Sequence, residues 1–241
     1  MSRLVRVRHL GLVSYSAGLA AQRAALSAHQ AALAAGGPAP HELLLLEHRP
    51  VYTVGRRQQG ADTAAEEARL RRLGAEFERT GRGGLITFHG PGQLVAYPML
   101  NLRQLGVPGP RRYVCLLEQA IIDVCGQLGV SAATSPHTGV WVGDNKVCAL
   151  GIHLTQRVLT SHGLALNCSV DLDWFRHIVP CGIADKFVTS LTAELGRPVA
   201  VAEAAPLVAE ALAARLGCRL VWEDGDRPAS DVSAAQPITA E

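Results

Sequence analysis

The stretch that decides the fold is Gly139–Ile183, which reads GVWVGDNKVCALGIHLTQRVLTSHGLALNCSVDLDWFRHIVPCGI. Within it, Val140–Val142, Lys146–Leu154 and Thr160–Val170 are rich in apolar and β-branched residues, and short polar turns separate them. Strands joined by such short turns run in opposite directions. The stretch therefore predicts three consecutive antiparallel strands.

Helices and strands are predicted on both sides of this stretch. Leu4–Val13 alternates as a strand does, and Ser16–Ala35 is an alanine-rich helix with Ser16 as its N-cap. Arg112–Leu128 and Ala205–Leu216 have helical spacing, with Pro206 in the first turn of the second of these helices. The mixture predicts an α/β fold with a mixed sheet.

The remaining segments complete one predicted domain over residues 1–223. Glu42–Gly55 is predicted to be a buried strand that leads into a loop, and Val188–Leu195 to be a helix. Arg219–Trp222 is the last predicted strand. Residues 224–241 are dominated by Ala, Ser, Pro, Asp and Gln, which predicts a loose tail.

Composition narrows the class of protein. The 241 residues are 48% hydrophobic and only 18% charged, which is typical of a compact globular domain. A net charge of +2 argues against nucleic-acid binding, and no apolar run approaches the roughly 20 residues that span a bilayer. Because the N-terminal segment alternates like a strand and the six cysteines lack disulfide spacing, we expect a cytoplasmic protein with reduced thiols. We also expect a monomer.

A lysine and a cysteine are the candidate chemical groups. Only Lys146 and Lys186 among the 23 basic residues are lysines, and a lysine, unlike an arginine, can give up its proton. Cys181 lies in a turn-like setting between Pro180 and Gly182. An amine beside a thiol favours the thiolate, so the pair suggests acyl transfer. The alternative is that Cys181 is a small buried filler.

Two glycine-rich turns form a second candidate site. Arg82–Gly84 and His89–Gln93 flank the short strand-like run Leu85–Phe88. Backbone N–H groups in such turns can bind carbonyl oxygens or phosphates. The alternative is that they are hairpin connections, and neither turn has the spacing of a Walker loop or of GxGxxG.

Two weaker patterns remain. Zinc ligands could come from His162, Cys168, His177 and Cys181, although their spacing matches no common zinc pattern. Paired arginines are usually solvated surface, but they could also form a basic rim for an acidic carrier protein; they lie at positions 56/57, 71/72 and 111/112.

Several segments together resemble the lipoyl(octanoyl) transferases of lipoic acid synthesis. The matching segments, in chain order, are EHRPVYTVGR at 47–56, RGGLITFHGPGQ at 82–93, Tyr97-Pro98, KVCALGI at 146–152, SHGLALN at 161–167 and VPCG at 179–182. Phe88, Cys148 and Ser161 depart slightly from the family pattern. None of the three departures removes a group that the family's chemistry needs.

The resemblance implies a fold like that of biotin and lipoate protein ligases. It implies that Cys181 is the nucleophile that forms an acyl thioester, and that Lys146 lowers its pKa and acts as acid and base. It also implies that an acyl pocket is lined by three segments: Arg82, Gly83, Gly84, Leu85, Ile86, Thr87, Phe88 and His89; Ala149, Leu150 and Gly151; and Gly163, Leu164 and Ala165.

The resemblance further implies a reaction and its partners. The family moves octanoyl from octanoyl-acyl carrier protein to a specific lysine of lipoyl domains, the first step of endogenous protein lipoylation. The acceptors implied are the lipoyl domains of 2-oxoacid dehydrogenases and the glycine cleavage H protein. No metal, nucleotide or other cofactor is expected, because a thioester is already activated.

Two rival functions are kept. An ATP-dependent lipoate or biotin ligase would share the fold, but it would work through an acyl-adenylate and need no cysteine nucleophile. A binding module would hold acylated carrier proteins without transferring the acyl group. The VPCG cysteine favours the transferase.

Overall fold

The computed structural model describes residues 3–38, 40–58, 63–179 and 187–223. Cys181 and the predicted tail at 224–241 lie outside the described residues. The helices are α1 (Tyr15–Ala34), α2 (Ala64–Arg71), α3 (Pro110–Gln127), α4 (Leu191–Leu195) and α5 (Val201–Leu216). The strands are β1 (Leu4–Val13), β2 (His41–His48), β3 (Val51–Val54), β4 (Glu76–Arg79), β5 (Thr87–His89), β6 (Gln93–Met99), β7 (Val140–Val142), β8 (Asn145–Thr155), β9 (Leu159–Asn167), β10 (Phe187–Val188) and β11 (Arg219–Trp222).

Two sheets organise the described part of the chain. The larger one has the strand order β10-β8-β9-β6-β2-β1-β11, with β7 paired to β8. Its centre, from β2 through β6 and β9 to β8, is antiparallel, whereas β1 runs parallel to both β2 and β11. The smaller sheet has the order β4-β3-β5. The predicted mixed sheet is confirmed.

The larger sheet is covered on both faces, and β2 shows why. Leu43 and Leu45 pack in the core that includes α3 and α5, while Leu44 and Leu46 pack in a second core with Ala25 of α1. Successive side chains of a strand point to opposite faces. A strand covered on both sides therefore reads as the continuous apolar run seen in the sequence.

The three antiparallel strands predicted within Gly139–Ile183 are confirmed. β7, β8 and β9 pair in antiparallel register, with Ala149 opposite Ala165 and Gly151 opposite Gly163. The predicted β1 and β11 have the bounds that the sequence indicated. Two predicted helices differ slightly, because Ser14 rather than Ser16 caps α1 and α5 starts earlier, so that Pro206 lies inside it.

Two segments were predicted wrongly as single elements. Glu42–Gly55 contains two strands, β2 and β3, which belong to different sheets. Pro50, between them, has no N–H for a sheet ladder and favours a break there. Val188–Leu195 contains the end of β10 and then α4, since the Ser190 hydroxyl accepts a hydrogen bond from Ala193 N and caps the helix.

Candidate active site

A cavity of about 250 Å³ lies where the two sheets meet. Its lining comes from both sheets and the loops beside them: Tyr15, Arg57, Arg82, Gly84, Leu85, Thr87, His89, Val95, Tyr97, Pro136, His137, Thr138, Lys146, Ala149, Leu150, Gly151, His162, Gly163, Leu164 and Ala165. These described residues include two arginines, one lysine and three histidines, and no carboxylate. Such a lining suits a ligand with an apolar part and a group that gains negative charge in the reaction.

The structure brings most of the predicted site residues to this cavity. All of the predicted residues on β8 and β9 line it, and so do Lys146, Arg82, Gly84, Leu85, Thr87 and His89. The glycines of the facing strands also serve the packing. An added Cβ at Gly151 would lie 3.2 Å from Arg82 Cδ, so glycine leaves room for the arginine side chain beside β8.

Ile86, Phe88 and Gly83 are not among the described residues that line the cavity. Ile86 and Phe88 are buried in the core of the smaller sheet, where Phe88 stacks on Trp174 with ring centroids 4.9 Å apart. Residues 85–89 alternate, so Leu85, Thr87 and His89 face the cavity while Ile86 and Phe88 face the core. Gly83 donates its N–H to Ile152 O at 3.1 Å, which ties this loop to β8.

Lys146 is buried at the start of β8. The residue is only 6% exposed, and Nζ lies 4.7 Å from the centroid of the Trp141 ring. An ammonium group over an indole face is stabilised by the ring quadrupole. Gly139 makes room for this side chain, because an added Cβ there would lie 3.0 Å from Lys146 Cε.

Cys181 lies outside the described residues, and the described chain resumes at Phe187. Phe187 and Val188 form β10, which pairs with Asn145 and Lys146 of β8. Thr189 then donates its N–H to Lys146 O at 2.9 Å. The first described residues after Cys181 therefore pair with the strand that carries Lys146.

Arg82 is held by the smaller sheet. Its guanidinium donates from Nη2 to Thr53 O at 2.6 Å and to Thr53 Oγ1 at 2.8 Å, and from Nη1 to Gly83 O at 2.9 Å. These bonds fix the plane of the side chain beneath β8. Arg82 thereby places a positive charge at the cavity in a defined orientation.

Three buried imidazoles and two phenols cluster beside the cavity. The His48 and Tyr15 rings lie 5.0 Å apart, and His48 Nε2 is 2.8 Å from Tyr97 Oη. Burial is the main cause that lowers the pKa of His48 to about 4, of His89 to about 3 and of His162 to about 4. The three rings are therefore neutral near pH 7.

His162 has an unusual backbone. Its φ is +55°, in the left-handed region that non-glycine residues rarely occupy. Its N–H donates to the buried Gln22 Oε1 of α1 at 2.7 Å, so the helix supports this conformation. Backbone strain of this kind tends to occur at functional sites, and here it lies within the cavity wall.

Comparison with known proteins identifies the family. Residues 14–213 match the model of the lipoyl protein ligase A/B catalytic domain. The mitochondrial octanoyl-[acyl-carrier-protein]:protein N-octanoyltransferase of Danio rerio is 53% identical over 218 residues, which cover 90% of this chain and 95% of the relative. The chain belongs to the octanoyltransferases of the lipoyl protein ligase A/B family.

Other comparisons agree with this octanoyltransferase membership. An octanoyltransferase of Rubrobacter xylanophilus is 48% identical over 168 residues, covering 69% of this chain and 75% of the relative. A putative lipoate protein ligase from T. acidophilum, solved with lipoic acid bound, matches with a TM-score of 0.66 at 15% identity, over 92% of this chain and 89% of the other. The second match shows the fold alone, and it confirms the predicted ligase-like architecture.

One prediction is corrected by the same comparison. The octanoyltransferases of Danio rerio, Xenopus tropicalis and Homo sapiens are named as mitochondrial proteins. The expectation of a cytoplasmic protein, which rested on cysteine usage and the pattern of the first residues, is therefore contradicted. Neither feature distinguishes the cytoplasm from another reducing compartment.

Sequence reasoning missed part of the octanoyltransferase cavity. Tyr97 and His162 lie in segments that carried the resemblance, so that signal was present, although neither was assigned to the pocket. Tyr15 and Pro136–Thr138 come from a helix start and a loop with no motif, and only the fold brings them to the cavity. Arg57, from an arginine pair, also reaches it.

The alternative zinc site finds no support in the described ranges. His162, Cys168 and His177 do not gather there into a group of three potential metal ligands. Among the helices of the described residues, none is both long and apolar enough to cross a membrane.

Proposed function

We propose that the chain transfers an octanoyl group from octanoyl-acyl carrier protein to a lysine of a lipoyl domain through an acyl thioester on Cys181. The observation that carries the proposal is the buried Lys146 in a cavity whose described lining holds apolar side chains, cations and no carboxylate. The named activities of close relatives give the acyl group and the donor. The acceptors we propose are the lipoyl domains of 2-oxoacid dehydrogenases and the glycine cleavage H protein.

The first half-reaction loads the enzyme. The Cys181 thiol gives its proton to the Lys146 amine, and the thiolate attacks the carbonyl carbon of the carrier thioester. The bond between this carbon and the carrier sulfur breaks, and the departing thiolate takes the proton from the Lys146 ammonium. Arg82, held in a fixed plane, faces the negative charge that develops on the carbonyl oxygen.

The second half-reaction transfers the acyl group. The neutral amine of the acceptor lysine attacks the Cys181 thioester, the carbon–sulfur bond breaks and an amide forms. The amine loses one proton to Lys146, which returns it to the Cys181 thiolate. Breaking a thioester to form an amide is downhill, so neither half-reaction requires ATP.

A transfer assay without nucleotide tests the proposal. The purified protein is mixed with octanoyl-acyl carrier protein and a lipoyl domain, and the mass of the lipoyl domain is followed. We expect a gain of one octanoyl group without ATP. Modification that occurs only with free octanoate and ATP would instead establish a ligase, and stable loading without onward transfer would establish a binding module.

A further inference from the structure

A chain of buried hydrogen bonds runs from Thr189, which follows β10, to His89. Asn167 Nδ2 donates to Thr189 O at 2.8 Å, and Gln93 Nε2 donates to Asn167 Oδ1 at 2.9 Å. Gln93 Oε1 lies 2.7 Å from His89 Nδ1. All four residues are at least nine-tenths buried, and Thr189 is the residue whose N–H is bonded to Lys146 O.

The Thr189 carbonyl fixes which group donates and which accepts along this hydrogen-bond chain. The Thr189 carbonyl can only accept, so Asn167 must present its amide nitrogen there and its oxygen to Gln93. Gln93 then presents its nitrogen to Asn167 and its oxygen to His89. Reversing either amide would set two oxygens against each other. His89 Nδ1 must therefore carry a hydrogen, and in a neutral ring Nε2 is left as an acceptor.

The surroundings keep the ring neutral. Besides desolvation, the positive charge of Arg82 and the neighbouring His48 and His162 lower the pKa of His89 to about 3, while the bond to Gln93 opposes them. The Tyr15 ring stacks at 6.4 Å between centroids. A group with so low a pKa is a poor general base near pH 7, but it is a constant hydrogen-bond acceptor.

The cationic side chains of the cavity are hydrogen-bond donors. Arg57, Arg82 and Lys146 when protonated donate and cannot accept, and Tyr97 Oη is engaged with His48 Nε2. A carbonyl oxygen that gains charge needs such donors, whereas an attacking amine carries N–H bonds and needs an acceptor. His89 lines the cavity and, with its tautomer fixed by Gln93, has an acceptor at Nε2.

We propose that His89 accepts a hydrogen bond at Nε2 from the attacking amine of the acceptor lysine and so aims its lone pair at the thioester. Gln93 and Asn167 are positioning residues that hold the required tautomer. The inference rests on the proposed function and adds to it a role in the second half-reaction alone.

The tautomer is measured directly by ¹⁵N NMR of the histidine rings in the full-length protein. We expect His89 to show a protonated Nδ1 and a bare Nε2 at every pH between about 5 and 8, since its pKa lies well below this range. In Asn167→Leu, which lies outside the described cavity lining, the fixed tautomer should be lost. A wild-type ring with Nε2 protonated would overturn the proposal.

Kinetics separate this role from a structural one. Pre-formed octanoyl-enzyme is mixed with a lipoyl domain to measure discharge, and loading from octanoyl-acyl carrier protein is measured separately. His89→Gln keeps an acceptor near the position of Nε2, whereas His89→Asn keeps only a group near Nδ1. We expect His89→Asn to slow discharge on the order of 100-fold more than it slows loading, and His89→Gln to restore most of the discharge.

Equal loss in both half-reactions, or equal discharge by the two variants, would contradict the role of His89. Asn167→Leu should likewise slow discharge but not loading, and if it fails to fold, the His89 pair still decides the question. A wild-type protein that neither loads nor discharges would refute the proposed function instead, and the NMR result would stand apart from that failure.

Discussion

Gly163 of β9 lies close against β6. An added Cβ would clash with Ala96 O and would lie 2.6 Å from Pro98 Cδ, both on the neighbouring strand. We expect Gly163→Ala to lower the free energy of unfolding by about 1–3 kcal/mol, because the strands must separate. Gly126→Ala is the matched control: at this exposed glycine of α3 the added Cβ meets no atom within 4 Å beyond the backbone of its own helix, and alanine there should stabilise by about 0.5–1 kcal/mol. Urea unfolding measures both, and equal effects would contradict the close approach.

His48 gives the protein a pH-dependent stability. Its folded pKa of about 4 lies below its ordinary value of 6.5, so between these values the unfolded chain binds more protons than the folded one. The free energy of unfolding should therefore fall as pH drops below 6.5, by at most about 1.4 kcal/mol per pH unit for one histidine. His48→Gln should flatten this dependence in urea unfolding at pH 7.5 and pH 5. An unchanged slope in His48→Gln would show that this ring is not held neutral.

Replacing Lys146 by arginine tests whether its positive charge or its ability to transfer a proton matters for octanoyl transfer. Lys146→Arg keeps a cation that can lie over Trp141, but an arginine does not give up its proton. We expect the protein to stay folded and single-turnover octanoyl transfer to fall at least ~100-fold. Arg197→Lys, an exposed change at a pair with Glu203, should retain full transfer. Near-normal transfer by Lys146→Arg would exclude an acid–base role.

Among the elements, the sequence predicted those with local signals. β7, β8 and β9 follow one another through short turns, so their order and pairing were readable from residues 139–170. The division of Glu42–Gly55 between two sheets could not be predicted from the sequence, because the partners of these strands come from other segments. β2 pairs with β6, and β3 pairs with β4 and β5. The smaller sheet and its core around Phe88 therefore became visible only in three dimensions.

The candidate site divides in the same way. Lys146 and the small residues of β8 and β9 lie within segments that the resemblance singled out, and they line the cavity. The alternation that sends Ile86 and Phe88 to the core requires knowledge of which face of β5 is covered. The hydrogen-bond chain from Thr189 to His89 joins four separate positions, and no spacing in the sequence indicates it.

Apolar packing contributes more to the stability of the contact between α3 and α5 than the ion pair that links these helices. Leu212 of α5 is 2% exposed in the main core, so Leu212→Ala should cost about 2–5 kcal/mol of unfolding free energy. Arg215 Nε and Asp123 Oδ2 lie 2.6 Å apart across the same helices, but both side chains are over 30% exposed and water screens them. Asp123→Ala should therefore hardly move the denaturation midpoint, and a larger loss than in Leu212→Ala would reverse this assignment.

At the scale of the whole molecule, the last described strand of the larger sheet ends just before residue 223. β11 ends at Trp222, and Glu223 N then donates to Val7 O at 3.1 Å. We propose that residues 1–223 contain the catalytic unit, and we expect a chain that stops after Glu223 to keep its thermal midpoint and its transfer rate. Stopping after Leu216 is the control, because it removes β11 and should destabilise the sheet. Loss of transfer in the longer truncation would assign a role to residues 224–241.

The central claim is that Cys181 carries the acyl group. The most direct measurement is the intact mass of the pure protein after mixing with octanoyl-acyl carrier protein and no ATP. We expect a gain of one octanoyl group that hydroxylamine removes, that a lipoyl domain discharges and that Cys181→Ala does not acquire. The same gain in Cys181→Ala, or octanoyl transfer by that variant at the wild-type rate, would contradict the account.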